Sequence, residues 1–438
     1  MGAPANVLKQ GGPPMTTADP APRNLGTPLS DEAILDLVQR QTFNFFWEAA
    51  HPVSGLARDR IALDSANADD FVAVGGSGFA IMALIVAAER GWVSREAAIE
   101  RLGSMLEMLI KSPSYHGMFP HFMNGRTGAT MPFGRKDDGG DIVETSLLFQ
   151  GLLCARQYFH GSSPAERSLR DRITWLWEEV EWNWHTRDGR HVLTWHWSPN
   201  SGFSLDHEVR GWNECLITYV LAAASPRFAI APRVYHDGFA QSRRFINRRT
   251  YYGIELPLGP DFGGPLYFAQ YSFLGLDPRG LTDTYADYWR QCVEHTKINY
   301  EHCVRNPKGH KGYGPSCWGL TASDDPFGYA AHAPDHDNGV ISPTAALASF
   351  PYAPDEAMRA LRYFYEGLGE KIWSRFGFTD AFSETHDWYA RTHLAIDQGP
   401  IIVMIENYRT GLLWQLFMAD RDVQTGLKRL GFSTPHIA

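Results

Sequence analysis

The chain has 438 residues, 44% of them hydrophobic, with a formal net charge of -9. That length exceeds what most single cores hold, so it requires either several domains or one repetitive architecture. The modest negative charge, with acids and bases interspersed, argues against nucleic acid or an anionic membrane as partner, and the longest apolar run, residues 79–88, is too short to insert across a bilayer.

Residues 1–28 are rich in Pro, Gly and Ala and lack the apolar core of a signal peptide, so they read as a disordered leader. Residues 29–438 read as one domain in which helical periodicity dominates. Ser30 and Asp31 cap an amphipathic stretch reaching about residue 50. Residues 77–89 are almost wholly apolar, and Gly75-Gly76-Ser77-Gly78 before them lacks the Lys-Ser/Thr ending of a phosphate loop, so it reads as a helix-entry turn. Residues 94–111 are amphipathic, 141–159 apolar and 164–180 amphipathic. The clearest strand signal is residues 182–197, with a hairpin turn expected at Asp188-Gly189. Further on, 213–224 are apolar, 234–246 mixed, 265–276 apolar and 284–304 amphipathic. A short apolar stretch at 343–350, an amphipathic one at 354–368, an apolar one at 400–418 and a last helix at 423–430 complete the chain.

Helices apolar all round belong inside and amphipathic ones at the surface. Six inner candidates interleaved with about seven outer ones predict an all-α fold, an (α/α)6 barrel with a few short β-hairpins in its loops. An α-solenoid competes, but no fixed-period repeat is present. The long loops at 115–140, 308–338 and 377–398 are rich in Gly, Asp, Asn and aromatics, the composition of functional loops on a rigid frame.

Five cysteines give no Cys-x-x-Cys pair, which leaves no zinc or redox motif. Cys154 and Cys215 read as small buried residues, and one bridge among Cys292, Cys303 and Cys317 stays open. His332, Asp335, His336 and Asp337 read as a solvated loop rather than a metal site. No metal or cofactor is expected.

Three acidic clusters precede apolar helices. In Asp137-Asp138-Gly139-Gly140-Asp141-Ile142-Val143-Glu144, Asp141 and Glu144 also make a plain capping pair, but Asp137 and Asp138 exceed what a cap needs. In Gly211-Trp212-Asn213-Glu214-Cys215, Glu214 is either a first-turn acid favoured by the helix dipole or a carboxyl desolvated beside Trp212. In Ala395-Ile396-Asp397-Gln398-Gly399-Pro400, Pro400 suits the first helical position, which places Asp397 just before the helix where an anion is stabilised. Within that helix Glu406 is polar material facing either a cavity or an internal partner. Arg58, Asp59 and Arg60 form a patch that either clamps sugar hydroxyls or is a surface ion-pair group. Two carboxyls of different protonation are what glycoside hydrolysis needs: Glu214 suits the protonated acid, Asp397 or Asp141 the anion.

Several long motifs occur together: residues 264–279, Gly312-Tyr313-Gly314, Cys317-Trp318-Gly319-Leu320-Thr321-Ala322-Ser323-Asp324, residues 338–346, Gly377-Phe378-Thr379-Asp380-Ala381-Phe382, residues 395–400 and Met404-Ile405-Glu406-Asn407. This set resembles the bacterial glucoamylase-like proteins that include glycoside hydrolase family 144, the β-1,2-glucan-degrading enzymes, over roughly residues 35–432. The resemblance implies an (α/α)6 barrel and an inverting endo-β-1,2-glucanase, often periplasmic or secreted. It also implies functional acids at Asp137, Asp141, Glu144, Glu214 and Asp397, with Glu214 the general acid and Asp397, or next Asp141, the base. The proton of the attacking water can travel through a substrate hydroxyl. Gln270 departs from the His expected in the Tyr271 motif. Candidate substrate-binding residues are Asp137, Glu144, Trp212, Arg58, Gln270, Tyr271, Trp318 and Glu406. The expected partner is β-1,2-glucan, bound by a monomer. Rivals are an exo-acting sophorose-releasing hydrolase or transglycosylase, a non-catalytic glycan-binding protein, and a polysaccharide lyase.

Overall fold

The computed structural model describes residues 29–63 and 69–437; the expected leader lies outside these described residues. Ser30 opens helix α1 (Asp31–Trp47), its hydroxyl accepting the Ala33 amide at 3.2 Å and satisfying one of the orphan donors of the first turn. In chain order there follow α2 (Val74–Glu89), α3 (Arg95–Lys111), α4 (Ile142–Tyr158), α5 (Pro164–Glu178) and α6 (Leu216–Ala224). After a run of short turns come α7 (Tyr288–Arg305), α8 (Pro343–Leu347), α9 (Pro354–Arg362) and α10 (Gly369–Ile372). The chain closes with α11 (Ala395–Arg409), α12 (Leu412–Met418) and α13 (Arg421–Leu430).

Helices α2, α4, α6, α8 and α11 are buried around most of their circumference, whereas α1, α3, α5, α7, α9 and α13 bury one stripe. The buried set, with residues 266–274, lines the inside; the striped set packs outside it. This is the (α/α)6 barrel that the alternation predicts.

Local departures have identifiable causes. α2 begins at Val74, so Gly75 to Gly78 lie inside the helix, not in an entry turn. They serve packing: a Cβ on Gly78 would stand 2.1 Å from the Leu147 carbonyl oxygen, and one on Gly151 2.2 Å from that of Gly78, so only glycine lets α2 and α4 approach this closely. The expected helix at 265–276 is instead two 3₁₀ turns, Leu266–Ala269 and Tyr271–Leu274. They break at Gln270, whose side-chain amide donates to the Ala345 carbonyl at 3.0 Å and to Ser349 Oγ at 3.1 Å. The apolar stretch 400–418 is two helices divided at Gly411 (φ 72°), and Pro400 sits inside α11 rather than at its first position. The mixed stretch near 234–246 forms only short turns, Val234–Phe239 and Gln241–Arg243.

Residues 182–197 are no hairpin. Trp182–Thr186 is a 3₁₀ turn, Arg187, Asp188 and Gly189 all take positive φ, and His196–Trp197 pairs with Gly140–Asp141. The turn chemistry was legible, but the strand found its partner on the first acidic cluster. All five cysteines are buried and free, so the bridge left open in the sequence does not form. Among the described residues no helix is long and apolar enough to cross a membrane.

Short antiparallel ladders lead into three inner helices. Phe71–Ala73 enters α2, Gly140–Asp141 enters α4 and Thr392–Leu394 enters α11; their partners are Phe122–Asn124, His196–Trp197 and Arg60–Ala62. The start of α6 carries Glu214. The acids expected to matter therefore stand at the N-terminal ends of inner helices, where exposed backbone N–H groups concentrate.

Candidate active site

Asp141 is the N-cap of α4 and fully buried. Its Oδ1 accepts the Val143 and Glu144 amides at 2.9 Å each and Trp195 Nε1 at 3.0 Å. Its Oδ2 faces His121 Nδ1 at 3.3 Å and His196 Nε2 at 3.8 Å. Burial pushes its pKa up, but the hydrogen bond and charge of His121, the charge of His196 and the Glu144 amide outweigh it, so the net shift is downward and Asp141 is ionised. His196 also reaches Asp137 Oδ2 at 3.4 Å.

Glu144, one turn along, takes the Gly75 amide on Oε2 at 2.7 Å, and its Oε1 lies 3.7 Å from His121 Nε2. Burial, opposed by His121 and aided by Asp141, raises its carboxyl to about 7. Burial disfavours charge on His121, yet Glu144, Asp141 and Asp137 together lift it to about 10. An imidazolium is thus clamped among three acids.

Glu214 is partly buried in the turn before α6, and its carbonyl accepts Ser272 Oγ. Burial raises its carboxyl to about 7, and the charges of Asp141 and Glu144 push the same way. Those fields place Glu214 within electrostatic reach of the first cluster. Trp212 is 4% exposed and packs inward, its ring centroid 6.1 Å from Phe273 and 5.7 Å from Tyr288.

Asp397 is buried in the first turn of α11. The expectation that the helix terminus keeps it anionic is not met: burial and the neighbouring Asp380 raise its pKa well above the carboxylate range. Burial and Asp324 likewise raise Asp380, to about 7. Asp380 Oδ2 accepts the Asp324 amide at 2.7 Å, and Asp324 Oδ1 accepts Arg60 Nη1 at 3.1 Å. The Tyr271 hydroxyl lies in the fields of both Asp397 and Glu214, which links the two acidic groups across one site.

The remaining expected residues fall elsewhere. Gln270 and Trp318 are core residues, with the Trp318 indole donating to the Glu356 carbonyl at 3.2 Å. Glu406 lies at the far end of α11 from Asp397, paired with Arg90 Nε at 2.6 Å and Thr410 Oγ1 at 2.8 Å. Arg58 is buried too, and burial lowers its pKa. His332 and Asp337 are buried rather than solvated, Asp337 holding His302 Nε2 at 2.8 Å and Tyr313 at 2.8 Å. Sequence reasoning missed His121, His196 and Tyr329, and it quoted Asp324 and Asp380 without giving either a role. Those two acids carried a signal, each lying within a long matching motif.

Ligand atoms of His121, Asp137 and Asp141 lie within 4.8 Å of one another, the one such grouping among the described residues. His121 held as an imidazolium already supplies a cation there. Beside this cluster opens a cleft of about 760 Å³ lined by Phe133, Arg135, Lys136, Asp137, His196 and His207. Phe133 is 63% exposed and stacks on His121, ring centroids 4.8 Å apart.

A helical barrel with protonated and ionised carboxyls gathered at one end of its inner ring, beside an open cleft, has the layout of an acid–base catalyst. A family model described as putative glucoamylase matches residues 206–421. A putative glucoamylase from Bacteroides uniformis is 55% identical with a TM-score of 0.92, over 94% of this chain and 100% of that one. An endo-beta-1,2-glucanase from Chitinophaga pinensis, solved with sophorotriose and glucose, is 51% identical with a TM-score of 0.92, over 94% and 100%. An exo beta-1,2-glucooligosaccharide sophorohydrolase (non-reducing end) from Parabacteroides distasonis is 44% identical over 92% of this chain, and the chain spans 58% of that relative's length. The chain belongs to the glucoamylase-like family, glycoside hydrolase family 144.

Proposed function

We propose that the protein is an inverting glycoside hydrolase that cleaves β-1,2-glucan internally. The observation that carries this reading is Glu214: a partly exposed carboxyl whose surroundings raise it to about 7, set among ionised and neutral acids. Such a group holds a proton near neutral pH and can release it to a glycosidic oxygen. Asp397, with Asp380 beside it, serves as the base that takes the proton of the attacking water, directly or through a sugar hydroxyl. Asp141 holds His121 and His196 in place, Asp137 borders the cleft where the glucan lies, and Glu144 backs His121 from behind it. The Tyr271 hydroxyl lies within the fields of both the acid and the base.

Internal cleavage is supported by the endo-acting relative, which this chain matches over that relative's whole length. The exo-acting relative favours a second reading, release of sophorose from the non-reducing end. Product length against time on linear β-1,2-glucan separates them. A ladder of sophorooligosaccharides is expected; sophorose alone from the first minutes would replace the endo reading with the exo one. Proton NMR of the fresh product, read before mutarotation, reports α-anomers if the mechanism inverts.

A further inference from the structure

We infer that Asp380 is a positioning residue that shares one proton with Asp397, so that the two carboxyls act as a single base carrying one negative charge. The inference rests on the assignment of Asp397 as the base.

Both side chains are about 1% exposed. The two carboxyls are close enough to act on each other's protonation, and two carboxyls can bond to each other only when one holds a proton. The buried oxygens left without any N–H or O–H partner are Asp380 Oδ1 and Asp397 Oδ2, one from each residue. Two orphaned oxygens on neighbouring buried carboxyls are satisfied together by one proton between them. The other Asp380 oxygen is pinned by the Asp324 amide at 2.7 Å, and the Asp380 carbonyl accepts Ser342 Oγ at 2.7 Å, so the carboxyl cannot swing away. On the other side, Thr344 Oγ1 donates to the Asp397 carbonyl at 2.7 Å.

The charged and titratable groups facing the pair are Asp324 and Arg60, whose effects oppose each other, and the hydroxyls of Tyr271 and Tyr329. Arg60 is a cation that acts on both carboxyls, and it is already bonded to Asp324 and Asp59. One proton on the pair removes the repulsion that a second buried negative charge would add.

The proton account closes. The pair starts with Asp397 neutral and Asp380 ionised. Water oxygen bonds to the anomeric carbon and its proton arrives at Asp397, which passes its own to Asp380. The glycosidic carbon–oxygen bond breaks, and the leaving oxygen takes the Glu214 proton. One proton then leaves the neutral pair and one returns to Glu214, so only a water molecule has been consumed.

The test compares Asp380→Asn and Asp397→Asn in pH profiles of kcat/KM on linear β-1,2-glucan. Asn at 380 offers the Asp397 carboxylate only a neutral amide in place of a shared acid proton, so the single negative charge is less stabilised and the acid limb moves up by about one pH unit or more. Asp397→Asn removes turnover. An active Asp397→Asn enzyme overturns the base assignment, and the inference with it. An inactive Asp397→Asn enzyme with an unmoved Asp380→Asn acid limb overturns the shared proton alone. Infrared difference spectra of the wild-type enzyme at alkaline pH stand independently of how Asp380→Asn folds. A protonated carboxyl band that is absent from Asp397→Asn supports the sharing, and no such band in the wild type overturns it.

Discussion

Gly75 and Glu144 lie on different inner helices, yet the Gly75 amide donates to Glu144 Oε2 at 2.7 Å, and a Cβ at position 75 would stand 2.7 Å from that same oxygen. The start of α2 thus forms one wall of the site, and its lack of a side chain is what admits the carboxyl.

Gly75→Ala is therefore expected to cost about 1–3 kcal/mol of stability, the range for forcing extra atoms into a packed site. It should also lower turnover by displacing Glu144 and, through His121, Asp141. Urea denaturation and kcat/KM on β-1,2-glucan measure the two effects; unchanged values for both would contradict this packing.

Replacing Glu214 with Gln removes the proton donor while keeping size and hydrogen bonding. Turnover should fall roughly 10²–10⁴-fold, with an unchanged circular dichroism spectrum. The same variant should gain stability in one pH window. Glu214 binds its proton more tightly in the fold, about 7 against 4.5, so its contribution to stability declines as pH rises from 4.5 to 7 and is constant beyond. Melting temperatures of Glu214→Gln should exceed wild type above neutral pH and converge with it toward pH 4.5. Equal melting curves at every pH would mean that Glu214 is not desolvated.

His121 shifts in the same direction, but there it is the charged form that the fold stabilises. Its folded value, about 10, lies above the ordinary 6.5, so it contributes fully below 6.5 and loses that contribution as pH rises through 10. His121→Gln is expected to be less stable than wild type at neutral pH, with the gap closing at strongly alkaline pH. A gap independent of pH would show that packing, not charge, is what His121 supplies.

The pair of Glu406 with Arg90 gives a prediction about structure rather than catalysis. Glu406 is buried with its carboxylate 2.6 Å from Arg90 Nε. Glu406→Ala strands that arginine, at a cost of about 3–5 kcal/mol. The folded fraction should keep the wild-type KM, because Glu406 lies at the far end of α11 from Asp397. A raised KM without loss of stability would return Glu406 to the substrate-binding set.

Helix periodicity found α1, α3, α4 and α5 almost to their ends, because caps such as Ser94 and Ser163 and the burial stripe are local properties. Residues 265–276 misled it. Their apolar composition is that of a buried helix, but Gln270 is spent on a bond to Ala345, which no local pattern announces. Trp212 and Trp318 misled in another way. Aromatics suit sugar clefts and cores equally, and burial alone, fixed by distant neighbours, tells the two apart.

The chain's own order of apolar and amphipathic segments determined the barrel, since a helix greasy on every side has nowhere to go but inward. It also placed Asp141, Glu214 and Asp397 at helix starts, because capping acts over three or four residues. What the tertiary structure alone decided is which of those acids keeps its proton. His121 reaches Asp141 from 20 residues away and His196 from the far side of a ladder; Asp380 meets Asp397 only once the barrel has closed. Protonation follows burial and through-space fields, and those exist only in three dimensions.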